Sequence, residues 1–349
     1  MADSSAGRVF IGSYTSAGGR GVVAAAVDPQ TGALTVTGAS DAVADPSYLA
    51  AVTTPAGTVL YAVSETADGA VAAFDATGPA PRPIGRRVPV GGDHPTHIAV
   101  SQGHLLTANY ASGSVSVLPV GTDGTPDPVA GVMQHEGAGP VADRQAGPHA
   151  HQVLPDPTGR WVLSVDLGTD SVRICALDTA AGALAPHRET ALRPGTGPRH
   201  LAFHPDGRHA YVLGELEPTV TVCRWDASAG LLEPVAETAV VPTGTAGSAH
   251  PSAPVVAHDG RHLWVAVRGH DSIAVLTLDG TGERAALAAT VPSGGRWPRD
   301  LALDPTGRRL YVANERSGAV TCHTIAPETG VPSPTSRLTV PAPSCVTFA

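Results

Sequence analysis

A hairpin of two apolar strands joined by a glycine turn recurs six times, and this repeat constrains the fold more than any other feature. The turn glycines are Gly57, Gly103, Gly159, Gly207, Gly260 and Gly307. Successive units are therefore 46 to 56 residues apart, and each is followed by a third alternating strand and a weaker fourth. Four short strands per repeat at this period are typical of the blades of a β-propeller.

The two ends of the chain supply a seventh unit. Residues 8–14 and 21–27 have the pattern of a second and a third strand with no first strand before them. Residues 343–348 match residues 46–51, which open the first complete repeat. We therefore predict an all-β fold, a single seven-bladed β-propeller domain over residues 1–349. Each blade has four antiparallel strands, and the C-terminal strand closes the first blade.

Composition excludes several function classes. All 22 basic residues are arginine, so the chain has no lysine for Schiff-base chemistry or for a P-loop. The net charge of −9 leaves no basic stripe for a nucleic acid. Residues 1–8 lack a basic segment followed by an apolar run, and no apolar stretch reaches roughly 18 residues. We therefore expect a soluble, cytoplasmic protein with no nucleic-acid or membrane partner.

The unusual polar residues gather at one rim of the predicted blades. In an antiparallel hairpin, the start of the first strand and the end of the second lie at the same rim. The start positions hold His97, His149, His151, Arg199, His200, Arg299 and Asp300. The end positions, seven or eight residues after the turn glycine, hold Glu65, Tyr110, Asp166, Glu215, Arg268 and Glu315. Because these positions vary while the strand interiors stay apolar, we predict a ligand site there, with blade-to-blade hydrogen bonding as the structural alternative.

One connection breaks the period. Residues 131–151 show no strand pattern and carry a dense set of polar side chains, namely His135, Glu136, Arg144, Gln145, His149 and His151. Long irregular insertions at a rim are usually functional or disordered. We predict that this loop contributes to the ligand site; the alternative is a mobile loop with incidental polar residues.

The loop and the rim together resemble a known family, that of bacterial 6-phosphogluconolactonases and carboxymuconate cyclases. The resemblance rests on residues 135–140, on Arg144-Gln145 and on residues 147–151, and blade motifs such as residues 197–200 and 268–272 agree with it. It spans residues 8–349. It implies a seven-bladed propeller that needs no metal or other cofactor. One departure is Pro254, which stands where the family usually carries an acidic residue.

The resemblance assigns roles to individual residues. The candidate catalytic residues that it implies are His149, Glu215, Arg199 and Arg268; the rim and loop positions add the candidate substrate-binding residues His97, Tyr110, Arg144, Gln145, His151, Asp166 and Arg299. Opening a lactone requires an activated water, stabilisation of an oxyanion and a subsite for the negative charge of the substrate. Glu215 or His149 would activate water, while Arg199 and Arg268 would hold a phosphate or carboxylate by paired hydrogen bonds. We expect a small anionic lactone or carboxylate substrate and a monomer or weak homodimer.

Three alternatives to a sugar lactonase stay open. The same residues could run the reverse reaction, a muconate-type cyclisation in which a carboxylate adds to an alkene. A metal-dependent hydrolase could use His97, His149, His151, Asp166 and Glu215, although the sequence contains no short ligand motif. A non-catalytic propeller that binds a protein or a small ligand would tolerate the loss of Glu215 and His149.

Overall fold

A computed structural model of the chain describes residues 7–55 and 57–349. The described chain forms seven four-stranded antiparallel sheets and two short 3-10 helices, Thr15–Ala17 and Glu315–Ser317. The predicted all-β seven-bladed propeller is thereby confirmed. The predicted domain also includes residues 1–6, which lie outside the described residues. No helix in the described part of the chain is long and apolar enough to cross a membrane.

The strands follow one another regularly along the chain. The first three are β1 (Arg8–Ser13), β2 (Val22–Val27) and β3 (Leu34–Ser40). The next eight are β4 (Leu49–Thr54), β5 (Gly57–Ser64), β6 (Ala70–Asp75), β7 (Arg82–Pro89), β8 (Pro95–Ser101), β9 (His104–Asn109), β10 (Ser114–Pro119) and β11 (Gly131–Gln134). Then come β12 (Ala150–Pro155), β13 (Trp161–Asp166), β14 (Ser171–Asp178), β15 (Ala183–Ala191), β16 (Pro198–Phe203), β17 (His209–Gly214), β18 (Thr219–Asp226) and β19 (Leu231–Ala239). The last nine are β20 (His250–Val256), β21 (His262–Arg268), β22 (Ser272–Leu278), β23 (Ala285–Pro292), β24 (Pro298–Leu303), β25 (Arg309–Asn314), β26 (Ala319–Ile325), β27 (Pro332–Thr339) and β28 (Pro343–Phe348).

The inner strands of the sheets form a closed ring. Sheet 1 consists of β28, β1, β2 and β3, and sheets 2 to 7 take four consecutive strands each, beginning with β4, β8, β12, β16, β20 and β24. Each of these first strands contacts the first strands of both neighbouring sheets. The ring closes because β28 pairs with β1, with Val346 opposite Ile11 and Cys345 opposite Gly12. The predicted closure by the C-terminal strand is confirmed.

Aromatic side chains on the second strands fasten neighbouring sheets to each other. Five of them donate a hydrogen bond to a backbone carbonyl in the outer turn of the next sheet: Tyr61 to Gly124, Trp161 to Ala227, Tyr211 to Gly282, Trp264 to Gly330 and Tyr311 to Gly32, at 2.7 to 3.0 Å. Each ring is buried between two sheets while its polar atom finds a partner, which is how buried Tyr and Trp are normally satisfied. These aromatic side chains therefore help to fix how neighbouring sheets stack.

The turns between the first and second strands lie at one rim of the propeller, which we call the turn rim, and those of sheets 4 and 7 are built alike. Asp156 accepts the backbone amide of Trp161 at 2.8 Å, and Asp304 accepts that of Arg309 at 2.9 Å. The turn glycines Gly159 and Gly307 have φ values of 71° and 70°, a left-handed conformation that glycine adopts without steric cost. The variable polar residues lie at the opposite rim, which we call the mouth.

Candidate active site

The predicted rim residues meet around a small cavity at the mouth. Its volume is about 150 Å³, and it is lined by Glu65, Thr96, Tyr110, Arg144, His151, Glu215, Arg268 and Arg299. Glu215 and Tyr110 directly follow second strands, Arg268 ends one, and Arg299 is the second residue of a first strand. Pockets for drug-sized ligands measure roughly 300–1,000 Å³, so this cavity suits a small metabolite.

Glu215 lies at the centre of a cluster of arginines. Its Oε2 atom is 2.7 Å from Nη2 of Arg268 and 3.0 Å from Nε of Arg199, and its Oε1 atom is 2.7 Å from Nη2 of Arg144. The side chains of Glu215 and Arg268 are each 7% exposed, and Arg199 is 3% exposed, whereas Arg144 is 38% exposed. The cluster therefore holds an excess of positive charge in a nearly dry environment.

The arginines keep Glu215 ionised. Burial acts to raise the pKa of Glu215, but Arg268 and Arg199 outweigh it and hold this pKa well below its usual range. Burial together with Arg268 lowers the pKa of Arg199 to about 9. A carboxylate with so low a pKa is a weak base, because general bases work best with a pKa near the operating pH. Its geometry suits Glu215 to orienting the guanidinium groups.

A second cluster has the opposite balance of charge. The guanidinium of Arg299 lies between two carboxylates, 3.7 Å from Oε1 of Glu65 and 3.5 Å from Oε2 of Glu315. It also lies over the ring of Tyr14, at 5.2 Å from the centroid, and the Tyr14 hydroxyl donates to Oε2 of Glu65 at 2.8 Å. Burial acts to lower the pKa of Arg299, but Tyr14 and the two carboxylates raise it.

His149 lies beside the cavity, outside its wall. Its ring stacks on Tyr110 with 4.5 Å between centroids and 16° between planes. Its Nδ1 atom is 2.9 Å from the backbone oxygen of Tyr110. Because a carbonyl oxygen only accepts, Nδ1 carries the proton, and in the neutral ring Nε2 keeps a lone pair. Among the described residues Nε2 has no hydrogen-bond partner, so His149 can act as an acceptor or a base.

Asp166 and Gln145 are not among the residues that line the cavity: Asp166 lies beneath the loop of residues 131–151, and the side chain of Gln145 is buried within that loop. Asp166 is fully buried and accepts a 2.6 Å hydrogen bond from Nδ1 of His135 and a 2.8 Å bond from the backbone amide of His149. Gln145 is also fully buried and donates to the backbone oxygen of Leu167 at 2.8 Å. These contacts hold the loop that carries Arg144 and His149. The substrate-binding roles of Asp166 and Gln145 stay predictions.

A group of neutral imidazoles lies on the inner strands next to the cavity. The ring of His200 is 5.4 Å from that of His97 and 5.2 Å from that of His151. Burial and the charge of Arg199 lower the pKa of His97 to about 3, and they hold the pKa values of His151 and His200 well below the usual range. His151 reaches the cavity, whereas His97 is buried against Tyr48, 4.1 Å away between ring centroids.

Sequence reasoning overlooked two residues of the site, Tyr14 and Thr96. Tyr14 directly follows β1 and so occupies the end position that Glu65 occupies in sheet 2. The register of the hairpins could therefore have found it. Thr96 precedes His97 on β8, and a neutral hydroxyl gave no signal among charged neighbours. Pro254, at the position of the family's acidic residue, pairs with Val265 inside sheet 6 and is not among the residues that line the cavity.

In the described part of the chain, potential metal ligands come together at the turn rim and not at the mouth. Within residues 7–55 and 57–349, the one set of three His, Cys, Asp or Glu side chains with donor atoms within 4.8 Å of one another is His204, Asp206 and His209, at the turn rim. His204 already uses both ring nitrogens, since Nδ1 accepts the amide of Asp206 and Nε2 bonds the carbonyl of Gly260. The set proposed from sequence, His97, His149, His151, Asp166 and Glu215, forms no such group among the described residues.

Comparisons with known proteins agree with this architecture. The model of the family "Lactonase, 7-bladed beta-propeller" matches residues 8–348. The chain is 34% identical to a 6-phosphogluconolactonase of Bacillus subtilis strain 168 over 97% of both chains. It superposes on the periplasmic gluconolactonase PpgL of Pseudomonas aeruginosa with a TM-score of 0.89 and 28% identity over 99% of both chains. A Bacteroides fragilis structure matches with a TM-score of 0.91 and 26% identity, over 100% of this chain and 99% of that one. The chain therefore belongs to the family of lactonases built on a seven-bladed β-propeller.

Proposed function

We propose that this protein hydrolyses a sugar lactone with an anionic group, as a 6-phosphogluconolactonase does. The observation that carries this proposal is the cluster of three arginines, buried Arg199 and Arg268 and half-buried Arg144, around Glu215 at the wall of a cavity small enough for a single metabolite. One carboxylate does not neutralise three guanidinium groups, so the cluster attracts a further anion. Guanidinium groups match the geometry of phosphate and carboxylate oxygens.

The three arginines differ in how firmly their side chains are held. Arg268 and Arg199 are fixed by backbone carbonyls in addition to Glu215, since Arg268 donates to His250 at 3.3 Å and Arg199 donates to Ser252. Arg144 extends from the loop, and its guanidinium donates hydrogen bonds to Glu215 and to the hydroxyl of Tyr110, with no backbone carbonyl to fix it among the described residues. An incoming phosphate would therefore meet two preset guanidinium groups and one that can adjust to it. Glu215 acts as a positioning residue in this scheme.

His149 is the better of the two candidate bases. Glu215 is strongly ion-paired and has a low pKa, whereas Nε2 of His149 keeps a lone pair and has no partner among the described residues. In the proposed reaction, Nε2 takes a proton from water as the water oxygen attacks the lactone carbonyl. The developing oxyanion is stabilised by a guanidinium of the cluster, and the ring C–O bond then breaks as Nε2 returns the proton to the ring oxygen, which gives the hydroxy acid and restores the neutral imidazole. The names of the relatives in Bacillus subtilis and Pseudomonas aeruginosa, both of which specify a gluconolactone, support this choice of substrate.

The test is hydrolysis of 6-phosphogluconolactone at a pH where its spontaneous opening is slow. We expect turnover by the wild type with and without EDTA. His149→Gln should lower kcat by a factor of about 10² to 10⁴, the usual contribution of a general base. Arg268→Gln should mainly raise KM. Arg224→Gln at the turn rim is the matched control and should behave like the wild type. A wild-type rate no faster than the spontaneous reaction would contradict the proposal.

A further inference from the structure

The mouth contains two clusters of charged side chains, one with more arginines than carboxylates and one with more carboxylates than arginines. Only the first has a role in the function proposed above. We infer that the second cluster, formed by Glu65, Glu315 and Tyr14 around Arg299, recognises hydroxyl groups of the substrate. The substrate is then a polyhydroxy lactone that is anionic at one end only. This inference rests on the proposed lactonase function for the identity of the reacting group.

The first step in the argument is that the carboxylates of this cluster have unused acceptor capacity. The two distances from Arg299 to Glu65 and Glu315, 3.7 and 3.5 Å, exceed the roughly 2.7 to 3.2 Å of direct N–H···O hydrogen bonds. Oε2 of Glu315 is buried and has no hydrogen-bond partner among the described residues. Oε1 of Glu65 likewise lacks a donor within the described chain, while Oε2 is held by Tyr14.

Acceptors of this kind call for a donor from the ligand. Glu65 and Arg299 both line the cavity, so a bound molecule reaches them directly. A buried or half-buried carboxylate without a donor is costly, and a sugar hydroxyl is a donor that brings no charge of its own. Tyr14 fixes the orientation of the Glu65 carboxylate by its 2.8 Å hydrogen bond. Paired carboxylates next to a guanidinium would thus bind neighbouring hydroxyls, which can donate to Glu65 and accept from Arg299.

The second step concerns charge. Around Glu215 three guanidiniums face one carboxylate, whereas around Arg299 two carboxylates face one guanidinium. An anionic group is attracted to the first cluster and repelled by the second, and at low exposure this repulsion is only weakly screened. A lactone with one phosphate and several hydroxyls satisfies both clusters. A carboxylated muconate, which is anionic at several positions and has no hydroxyls, satisfies only the first, so the cyclase alternative is disfavoured.

The experiment is a calorimetric comparison of two probes, neither of which contains the lactone that the proposed reaction opens. Glucitol 6-phosphate has one phosphate and a chain of hydroxyls, and cis,cis-muconate has a carboxylate at each end and no hydroxyl. We expect the wild type to bind glucitol 6-phosphate more tightly than muconate. Glu65→Gln and Glu315→Gln should each weaken glucitol 6-phosphate binding about 10-fold or more, since hydrogen bonds to charged groups are the strong ones. The same substitutions should strengthen muconate binding, because they remove a repelling charge. Glu328→Gln, exposed on the turn rim, is the control.

Each outcome of this comparison decides the inference. Unchanged affinities for both probes in Glu65→Gln and Glu315→Gln would overturn it. Equal weakening of both probes would also overturn it, and a thermal melt of each variant would show whether folding is the cause. The two variants could bind glucitol 6-phosphate more weakly and muconate more strongly while the wild type fails to hydrolyse 6-phosphogluconolactone. In that case the hydroxyl subsite stands and the lactonase proposal fails. The two failures are therefore distinguishable.

Discussion

The two rims of the propeller use the same residue types in different ways. At the turn rim, Asp304 accepts side-chain hydrogen bonds from residues at most five positions further along the chain, and Asp156 does the same apart from one 3.3 Å bond from Trp225 of the next sheet. At the mouth, Glu215 binds Arg144, which is 71 positions away, and Arg268 of the next sheet. The Asp304 carboxylate thus shapes a single turn, whereas the Glu215 carboxylate joins different blades around one cavity. We therefore expect substitutions at the turn rim to change stability alone, and substitutions at the mouth to change both stability and function.

The largest expected effect comes from removing Asp166, the buried carboxylate beneath the loop. Asp166→Ala leaves Nδ1 of His135 and several backbone amides without their acceptor and removes one of the two carboxylates that pair with Arg173. Breaking a buried charge pair in this way costs about 3–5 kcal/mol of stability. The loop that carries Arg144 and His149 would lose its anchor, so we expect lactone hydrolysis to fall by at least 100-fold. Urea denaturation and steady-state kinetics measure the two effects.

Asp304→Ala is the matched variant at the turn rim. Asp304 is 5% exposed and accepts the amides of Arg308 and Arg309 and the hydroxyl of Thr306. Each of these bonds contributes about 1 kcal/mol and the turn can be solvated, so we expect a moderate loss of stability with unchanged kcat and KM. If Asp304→Ala reduced activity as much as Asp166→Ala does, the distinction between the rims would be wrong.

The same distinction explains how much could be predicted from the sequence. The hairpin period predicted the seven blades, the closure by β28 and the positions that meet at the mouth, because all of these depend on local pattern and register. Register also placed Asp166 with Glu215, since Asp166 ends a second strand and Glu215 directly follows one. It could not show that residues 131–151 fold over Asp166 and occupy its oxygens, because that contact depends on the path of an irregular loop. The cytoplasmic location and the monomeric or weakly dimeric state stay predictions.

A smaller effect is expected from Asp300, which lies on β24 four residues before Asp304. Asp300 is 6% exposed and accepts the amide of Val346 at 2.9 Å. Burial raises its pKa to about 6, above the value of about 3.9 expected in the unfolded chain. The native state therefore holds this proton more tightly, and stability is lost as the pH rises from about 4 to about 6. Above pH 6 the full cost of burying the charge is present, on the order of 2–3 kcal/mol.

Asp300→Asn removes that charge and keeps an oxygen for the amide of Val346. We expect the variant to be more stable than the wild type at pH 8 and to have no such advantage at pH 4. The measurement is urea denaturation of both proteins at the two pH values. An advantage that does not change with pH would show that the cost at this position is not electrostatic. Asp300 lies between the rims, so this result would show how far the dry environment of the mouth extends along the channel.

The smallest effect is expected from an ion pair at the turn rim whose distances equal those at the mouth. Arg224 lies 2.7 Å from Glu283, as Arg268 does from Glu215. Their exposure differs, because the side chains of Arg224 and Glu283 are 51% and 38% exposed and those of the mouth pair are 7% exposed. Water and salt screen the exposed pair, and holding two long side chains in one geometry costs entropy. In a double-mutant cycle with Arg224→Ala and Glu283→Ala, we therefore expect no measurable coupling and no change in hydrolysis. A strong coupling that persists at high salt would mean that distance, and not burial, sets the strength of these pairs, and the two rims would then differ less than their exposure suggests.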